Sequence, residues 1–264
     1  MTEEEEQDWL AQNLPSLLVA GQKAKHHILE GQKLAQKIAA ASFIPDTPEL
    51  LMAEVVKRGE AMAKQKFWRK PFSLTKWNEH IYQTLAYYFT GDARFETEGC
   101  ELMGVEPGVF DLRKGILLSG PKGCGKTDML ELFSRNPYAP YIVISCLELE
   151  MAYSKKEVGS NIIDQYAGLI PTQNVHHYYG KTHLGVQFDD FGAEGEAVHM
   201  GKRVNLMDVL LQTRYRIVRG PYTHLTTNAS EQGIQEAYDG RVYDRMIQMF
   251  NFIEFSPNAP SLRV

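Results

Sequence analysis

The residues from Gly120 to Thr127 combine three glycines with two lysines and a hydroxyl side chain, reading Gly-Pro-Lys-Gly-Cys-Gly-Lys-Thr. This stretch fits the phosphate-loop pattern Gly-x-x-x-x-Gly-Lys-[Ser/Thr], in which glycines let backbone N–H groups approach phosphate oxygens. Lys126 can reach the β- and γ-phosphates of a nucleotide, and the Thr127 hydroxyl can ligate Mg²⁺. We therefore expect ATP to contact the following residues: Gly120, Pro121, Lys122, Gly123, Cys124, Gly125, Lys126, Thr127 and Asp128.

The segments on either side of this loop predict a strand before it and a helix after it. Gly115 to Ser119 is a short apolar run that suits a buried strand, and Lys126 to Arg135 carries apolar residues at helical spacing. The amino end of that helix would add its partial positive charge to the anion site. The alternative is a glycine-rich turn before a core helix. Cys124 lies at a variable position of the pattern, where a small residue that fits is favoured over a reactive thiol.

Two adjacent carboxylates follow an apolar run further along the chain, in the sequence Gly-Val-Gln-Phe-Asp-Asp-Phe-Gly at residues 185–192. A strand that ends in acidic residues is the expected partner of a phosphate loop. Asp189 would hold Mg²⁺ through its water shell, and Asp190 would orient or deprotonate the attacking water. The alternative is an ordinary acidic turn, since such turns commonly follow strands.

A third polar strand end occurs at residues 224–230, which read His-Leu-Thr-Thr-Asn-Ala-Ser. The sequence predicts that Asn228 places a neutral amide beside the γ-phosphate, where it can position water and sense hydrolysis. Asn and Ser also commonly begin helices, so an N-cap is the alternative role. Ser230 could be that cap while Asn228 acts as the sensor.

Residues 240–246 read Gly-Arg-Val-Tyr-Asp-Arg-Met and place Arg241 and Arg245 four apart, on one face of a helix. An arginine offered across a subunit interface can stabilise the charge that develops on a γ-phosphate. The alternative is surface pairing with Asp239 and Asp244, and these residues alone do not decide between the two.

The order of elements predicts an α/β fold. Residues 1–95 look helical, with predicted helices at 14–41, 47–66 and 73–89, and from residue 115 short apolar runs alternate with helical segments. Such alternation implies a parallel five-stranded sheet with helices on both faces. The predicted strands are Ile116–Leu118, Tyr141–Ser145, Val186–Asp189, His224–Thr226 and Phe250–Phe255. Ligands bind at the carboxyl ends of strands in such sheets, where the phosphate loop lies.

Composition limits the classes of protein that are possible. The chain has 264 residues, 44% of them hydrophobic, and a net charge of −5, which suits one α/β domain with a smaller accessory region and argues against broad polyanion binding. Three scattered cysteines suggest neither disulfides nor a zinc site. The acidic amino terminus and the lack of a long apolar run predict a cytoplasmic protein outside the membrane.

Taken in this order, the four polar segments resemble the AAA+ ATPases, specifically the DnaC/DnaI-type helicase loaders and the related IstB transposition ATPases. Residues 240–246 are similar to the loader segment that carries an arginine finger, which the resemblance places on Arg245. Residues 252–264 resemble the family's last strand and its terminal Ser-x-Arg, so Arg263 takes the sensor 2 role and contacts the nucleotide. The chain then ends without the helical lid of standard AAA+ proteins, as in loaders. Asp190 stands where many AAA+ proteins have Glu.

The resemblance covers roughly residues 85–264 and implies a lidless P-loop NTPase domain at residues 96–264, which hydrolyses ATP with Mg²⁺. Residues 1–95 would bind a replicative DNA helicase, and the ATP-bound assembly would engage single-stranded DNA. Self-association, or association with another AAA+ protein, would occur through the ATP site. One alternative is an IstB-like regulator acting on duplex DNA and a transposase, and another is a nucleotide-switch adaptor whose turnover is incidental.

For two further basic segments, the sequence does not decide whether they bind nucleic acid. Residues 64–70 read Lys-Gln-Lys-Phe-Trp-Arg-Lys, and this cluster could stack bases or bind a strand backbone. It could equally be a solvated helix end whose Phe67 and Trp68 pack inward. Lys155 and Lys156 follow the second predicted strand, at a position where loaders present elements that bind single strands.

Overall fold

The computed structural model describes residues 43–68, 70–155, 159–193, 197–199, 202–237 and 240–262. The described residues from 44 onward belong to one compact unit, Ile44–Val264. The helix predicted at residues 14–41 lies outside the described residues, as do Lys156 and Arg263. Among the helices that are described, none is long and apolar enough to cross a bilayer.

The centre of this unit is a sheet in which all five predicted strands are present. The strands are β1 (Gly115–Ser119), β2 (Tyr141–Ser145), β3 (Ile170–Pro171), β4 (His183–Phe191), β7 (Thr223–Thr227) and β8 (Phe250–Glu254). The order is β2-β4-β7-β1-β8, with every neighbouring pair parallel. The short β3 adds a sixth strand antiparallel to β4, and β5 (Ala197–His199) pairs with β6 (Lys202–Val204) in a separate small sheet.

Helices cover both faces of this sheet, which confirms the predicted α/β fold. They are α1 (Pro48–Gln65), α2 (Glu79–Thr90), α3 (Glu98–Leu102), α4 (Lys126–Phe133), α5 (Cys146–Tyr153), α6 (Gly159–Ala167), α7 (Leu206–Ile217), α8 (Glu231–Ala237) and α9 (Gly240–Met249). Side chains of a strand alternate between faces, and β1 shows this directly. Ile116 and Leu118 join a core with α1, α2 and α4, whereas Leu117 joins a second core with α5 and α7.

The amino-terminal helices α1 and α2 share the first of these cores with the sheet. Leu51 and Val55 of α1 and Tyr88 and Phe89 of α2 are buried in the same cluster as the apolar side chains of β1. In packing terms, residues 44–95 are therefore continuous with the sheet. The functional division that we placed at residue 95 stays a prediction.

The two described amino-terminal helices begin and end for local reasons. Thr47 caps α1 by accepting the Leu50 N–H at 3.3 Å. The helix predicted from residue 73 begins only at Glu79, because the Asn78 side chain accepts the Thr75 N–H at 2.7 Å and holds a turn. Helix α2 then ends at Gly91 with φ of 72°.

The carboxyl end of α1 has an unusual residue in its cap. The Trp68 N–H donates to the Ala63 carbonyl and the Phe67 N–H to the Lys64 carbonyl, at 2.9 and 3.4 Å, which is the Schellman arrangement. Its left-handed position normally holds glycine, but here it holds Phe67 with φ of 52°. This conformation costs a residue with a Cβ about 1 kcal/mol.

The strand register brings the predicted site residues to one edge of the sheet. Ser119, the last residue of β1, pairs with Thr227 at the end of β7, and Thr227 also pairs with Phe191 at the end of β4. The glycine loop, the two aspartates and Asn228 therefore lie at or directly beyond these strand ends. This is the ligand-binding edge of a parallel α/β sheet.

Candidate nucleotide-binding site

The glycine loop between β1 and α4 needs its glycines for conformation and for space. Gly120, Gly123 and Gly125 have φ values of 151°, 83° and 98°, a region that side chains disfavour. A Cβ at Gly120 would lie 2.6 Å from the Cβ of Phe255. The amides of Gly123, Gly125 and Thr127 make no hydrogen bond to another described residue. Together with the amino end of α4, they form a cradle suited to phosphate oxygens.

Lys126 is buried above this loop and points its ammonium group at neutral acceptors. Its Nζ donates to the carbonyls of Gly120 and Pro121 at 2.8 and 2.9 Å. It also donates to Oδ1 of Asn228 at 2.9 Å. The lysine is thus held between its own loop and the end of β7, in position to meet a phosphate group bound on the loop.

Asp189 lies beside Thr127, which makes an oxygen-rich site at the start of α4. The Thr127 hydroxyl donates to Oδ2 of Asp189 at 3.1 Å. The other carboxylate oxygen accepts from the Thr226 hydroxyl at 2.5 Å and from Nε2 of Gln187 at 3.2 Å. A hydroxyl and a carboxylate are ligands that Mg²⁺ prefers, so these residues fit the predicted metal.

Burial changes the pKa of the Asp189 carboxyl more than its hydrogen bonds do. Desolvation raises its pKa, although donation from Thr226 and Thr127 acts in the opposite direction. A nearby cation would favour the ionised form and so compensate for burial. The site is therefore better suited to a carboxylate with a bound cation than to one without.

The backbone has an unusual conformation at Asp190, near the end of β4. Its φ is 56°, and the register between β4 and β7 shifts in this region. The Asp190 N–H donates to the Thr226 hydroxyl oxygen at 3.0 Å. A non-glycine residue held in this conformation at a strand end is typical of a functional site.

Asn228 connects the two halves of the site. Its Oδ1 accepts from Lys126, and its Nδ2 lies 3.4 Å from Oδ1 of Asp190 as a donor. The capping role falls to Ser230, whose hydroxyl accepts the Gly233 N–H at 3.2 Å before α8. The geometry therefore favours the sensor role of Asn228 over the N-cap.

The remaining loop residues are less involved. The Cys124 thiol is buried, and burial raises its pKa, which suits a residue that fills space and not a nucleophile. Asp128 pairs with Nζ of Lys66 at 2.7 Å, and the same ammonium contacts Glu131 at 2.8 Å. The predicted contact of Asp128 with nucleotide therefore competes with an ion pair to the end of α1.

Arg245 is not brought to this edge of the sheet. It lies on α9, directly before β8, and β8 begins beside Gly115 at the amino end of β1. Its guanidinium carbon lies 5.5 Å from the centre of the Tyr215 ring. Arg245 therefore belongs to a different part of the surface from the phosphate loop of its own chain.

Two residues of the site were not singled out from sequence. Thr226 contacts both aspartates, and Gln187 contacts Asp189. Both are buried polar side chains. Gln187 interrupts an apolar run of β4, which was a signal that could have identified it, whereas Thr226 stands among other polar residues of β7.

No protein-family model and no curated protein matches the chain. Among solved structures, the chain is similar to AMPPCP-bound DnaA from Aquifex aeolicus, with a TM-score of 0.42 and 14% sequence identity. The similarity covers 70% of this chain and 48% of the DnaA chain, so it spans about half the length of that protein. The assignment of this site depends on its own residues and geometry.

Proposed function

We propose that this protein is an AAA+ ATPase that hydrolyses ATP with Mg²⁺. One observation carries the proposal: hydrogen bonds that run through Asn228 and Thr226 link the phosphate-loop residues Lys126 and Thr127 to Asp189 and Asp190. These residues come from three separate strand ends. Their convergence on a glycine loop is the arrangement that phosphoryl transfer requires.

Each residue of the set has a separate role. Lys126 contacts the β- and γ-phosphates, and Thr127 and Asp189 hold Mg²⁺, which neutralises phosphate charge when bound. Asp190 and Asn228 orient the attacking water, because their polar groups lie together beyond the strand ends. Arg263 contacts the γ-phosphate from the same chain.

The site is completed by Arg245 of a neighbouring subunit. Within one chain, this arginine lies near the amino end of β8, whereas the phosphate loop follows the carboxyl end of β1. An arginine on the far edge can serve a nucleotide only by reaching across an interface. This supports self-association, or association with another AAA+ protein, through the ATP site.

The cellular role that we propose is loading of a replicative DNA helicase in the cytoplasm. Residues 1–95 bind the helicase, residues 96–264 form the ATPase domain, and the ATP-bound assembly engages single-stranded DNA. The support is the resemblance of residues 240–246 to the arginine-finger segment of loaders. ATP binding would then act as the assembly switch, and hydrolysis would reset it.

Steady-state ATP hydrolysis tests the site and its sharing between subunits. We expect Asp190→Asn and Arg245→Ala each to lower kcat by about 10³-fold. Mixing the two variants should restore part of the activity, because some interfaces then pair an intact Asp190 with an intact Arg245. Asp244→Asn, at the exposed neighbouring residue, is the matched control. Two variants that hydrolyse ATP like the wild type would refute the assignment of the site.

Co-purification with the full chain tests the cellular role. A loader should recover a hexameric helicase in the presence of ATP and bind single-stranded DNA. Recovery of a transposase, with assembly on duplex DNA and no helicase, would contradict the loader role and favour the IstB-like alternative.

A further inference from the structure

The carboxyl end of α1 presents an aromatic ring that the fold itself does not use. Phe67 is 91% exposed, so its ring contributes little to the core. It also occupies the left-handed cap position, with φ of 52°, that glycine fills without strain. Strain at an exposed residue of this kind points to a role outside the folded chain.

The surroundings of this ring are basic and concave. A cavity of about 580 Å³ is lined by Glu60, Ala63, Lys64, Phe67, Trp68, Lys70, Pro71 and Phe72. Its charged groups are two lysines and one glutamate. Lys66, by contrast, is neutralised by Asp128 and Glu131 on α4, so the available positive charge of the described lining comes from Lys64 and Lys70.

We propose that this surface binds single-stranded nucleic acid, with a base stacked on Phe67 and phosphates on Lys64 and Lys70. An exposed aromatic ring beside cationic side chains is the combination that non-specific single-strand binding uses. Every base has a stacking face, so the surface needs no sequence preference. The proposal deepens the proposed function, on which it rests in taking the ligand to be DNA.

The charges favour nucleic acid over a protein helix as the occupant. An amphipathic helix would need a broad apolar groove, whereas here a single exposed ring lines the cavity together with two exposed lysines. Each phosphate neutralised by a lysine releases counterions, which makes binding depend on salt. Stacking and salt dependence are therefore two separate signatures of the same site.

Fluorescence anisotropy of a labelled oligothymidylate with the full chain tests the proposal. Phe67→Gly should weaken binding about tenfold, the effect of removing one stacked base, while the melting temperature does not fall, because glycine suits the cap. Phe67→Tyr should bind within about twofold of the wild type, since it keeps a stacking ring. Phe43→Ala, at another exposed phenylalanine, is the matched control.

The lysines are tested through the salt dependence of the same measurement. Replacing both Lys64 and Lys70 by Gln should reduce the slope of log K against log salt by about 1.4, because each lysine would neutralise one phosphate of a single strand. If Lys64 and Lys70 only stabilise the end of α1, their replacement should leave this slope unchanged, which would contradict the proposal.

The other outcomes overturn the proposal in distinguishable ways. Oligothymidylate binding by Phe67→Gly at wild-type affinity would refute it and leave the ATPase site untouched. Unchanged oligothymidylate binding in a variant that no longer recovers the helicase would show that the surface binds protein. A wild-type chain that binds no single strand with any nucleotide would also refute the DNA part of the proposed function, whereas the hydrolysis test would still stand alone.

Discussion

The two edges of the central sheet differ in how their polar groups are used. At the carboxyl edge, Lys126 is hydrogen-bonded to Asn228, and Asp189 is hydrogen-bonded to Thr127 and Thr226. At the amino edge, a cavity of about 490 Å³ is lined by Arg113, Tyr215, Arg216, Val218, Arg219, Gly220, Thr223, Gln248 and Met249. Arg216 and Arg219 form no ion pair with another described residue there.

The two edges differ in whether their charged side chains have partners. At the carboxyl edge they are hydrogen-bonded to other residues, whereas at the amino edge Arg216 and Arg219 have no ion pair with a described residue. The carboxyl edge has a phosphate cradle with a single buried lysine, so a nucleotide bound there would bring more negative charge than the loop neutralises. The amino edge has spare guanidinium groups, and Arg245 lies beside them because Tyr215 lines the cavity and also lies under Arg245. A nucleotide bound at the carboxyl edge would be complementary in charge to the amino edge of a neighbouring chain, as the shared site that we propose requires.

The substitution that should distinguish the two edges most strongly is at Lys126. Lys126→Ala should weaken binding of a fluorescent ATP analogue by about 100-fold, because the variant cannot form charge-assisted hydrogen bonds to phosphate. Arg245→Ala, at the other edge, should leave this affinity within about twofold for the isolated chain and affect turnover instead. Equally weakened nucleotide binding in both variants would contradict the division between the edges.

The sequence predicted the carboxyl edge well because its signals are local. The glycine loop, the paired aspartates and the short apolar runs are each contained in a few consecutive residues, and the parallel sheet then aligns them. The links from Thr226 to Asp189 and from Lys66 to Asp128 join residues far apart in the chain. The spacing of apolar residues in a sequence does not predict contacts between residues that are far apart in the chain. The late start of α2 was missed for a local reason, the turn held by the Asn78 side chain.

A smaller effect is expected from removing the positive charge of Arg216 and Arg219 at the amino edge. Replacing both Arg216 and Arg219 by Gln should weaken ATP-dependent self-association about tenfold, with a weaker dependence on salt. Sedimentation velocity at low and high salt measures this. Replacing Lys57 and Lys76 by Gln removes the same charge from exposed positions on other elements and is the matched control. An identical effect in this control would attribute the change to net charge alone.

The second residue of β7 is a buried histidine, His224. The Nδ1 atom of His224 accepts the Ile116 N–H at 3.1 Å, and Nε2 has no partner among the described residues. The rings of Tyr88, Phe89 and Tyr141 surround it at centroid distances of 4.5 to 6.0 Å. Burial, with a further contribution from the charge of Arg214, lowers the pKa of His224 to about 3.

The last expected effect is on acid stability, and it tests whether the surroundings of His224 in β7 exclude a proton. The unfolded chain protonates His224 below about pH 6.5, whereas the folded chain keeps it neutral, so this contribution is complete above about pH 6.5 and is lost as the pH falls toward about 3. Within that window, the free energy of unfolding should fall by up to about 1.4 kcal/mol per pH unit from this group. His224→Asn, which keeps an acceptor for Ile116 but does not titrate, should start less stable and show a shallower slope in urea unfolding. His183→Asn, at an exposed histidine of β4, is the matched control, and parallel slopes for His224→Asn and the wild type would mean that the folded chain admits a proton at His224.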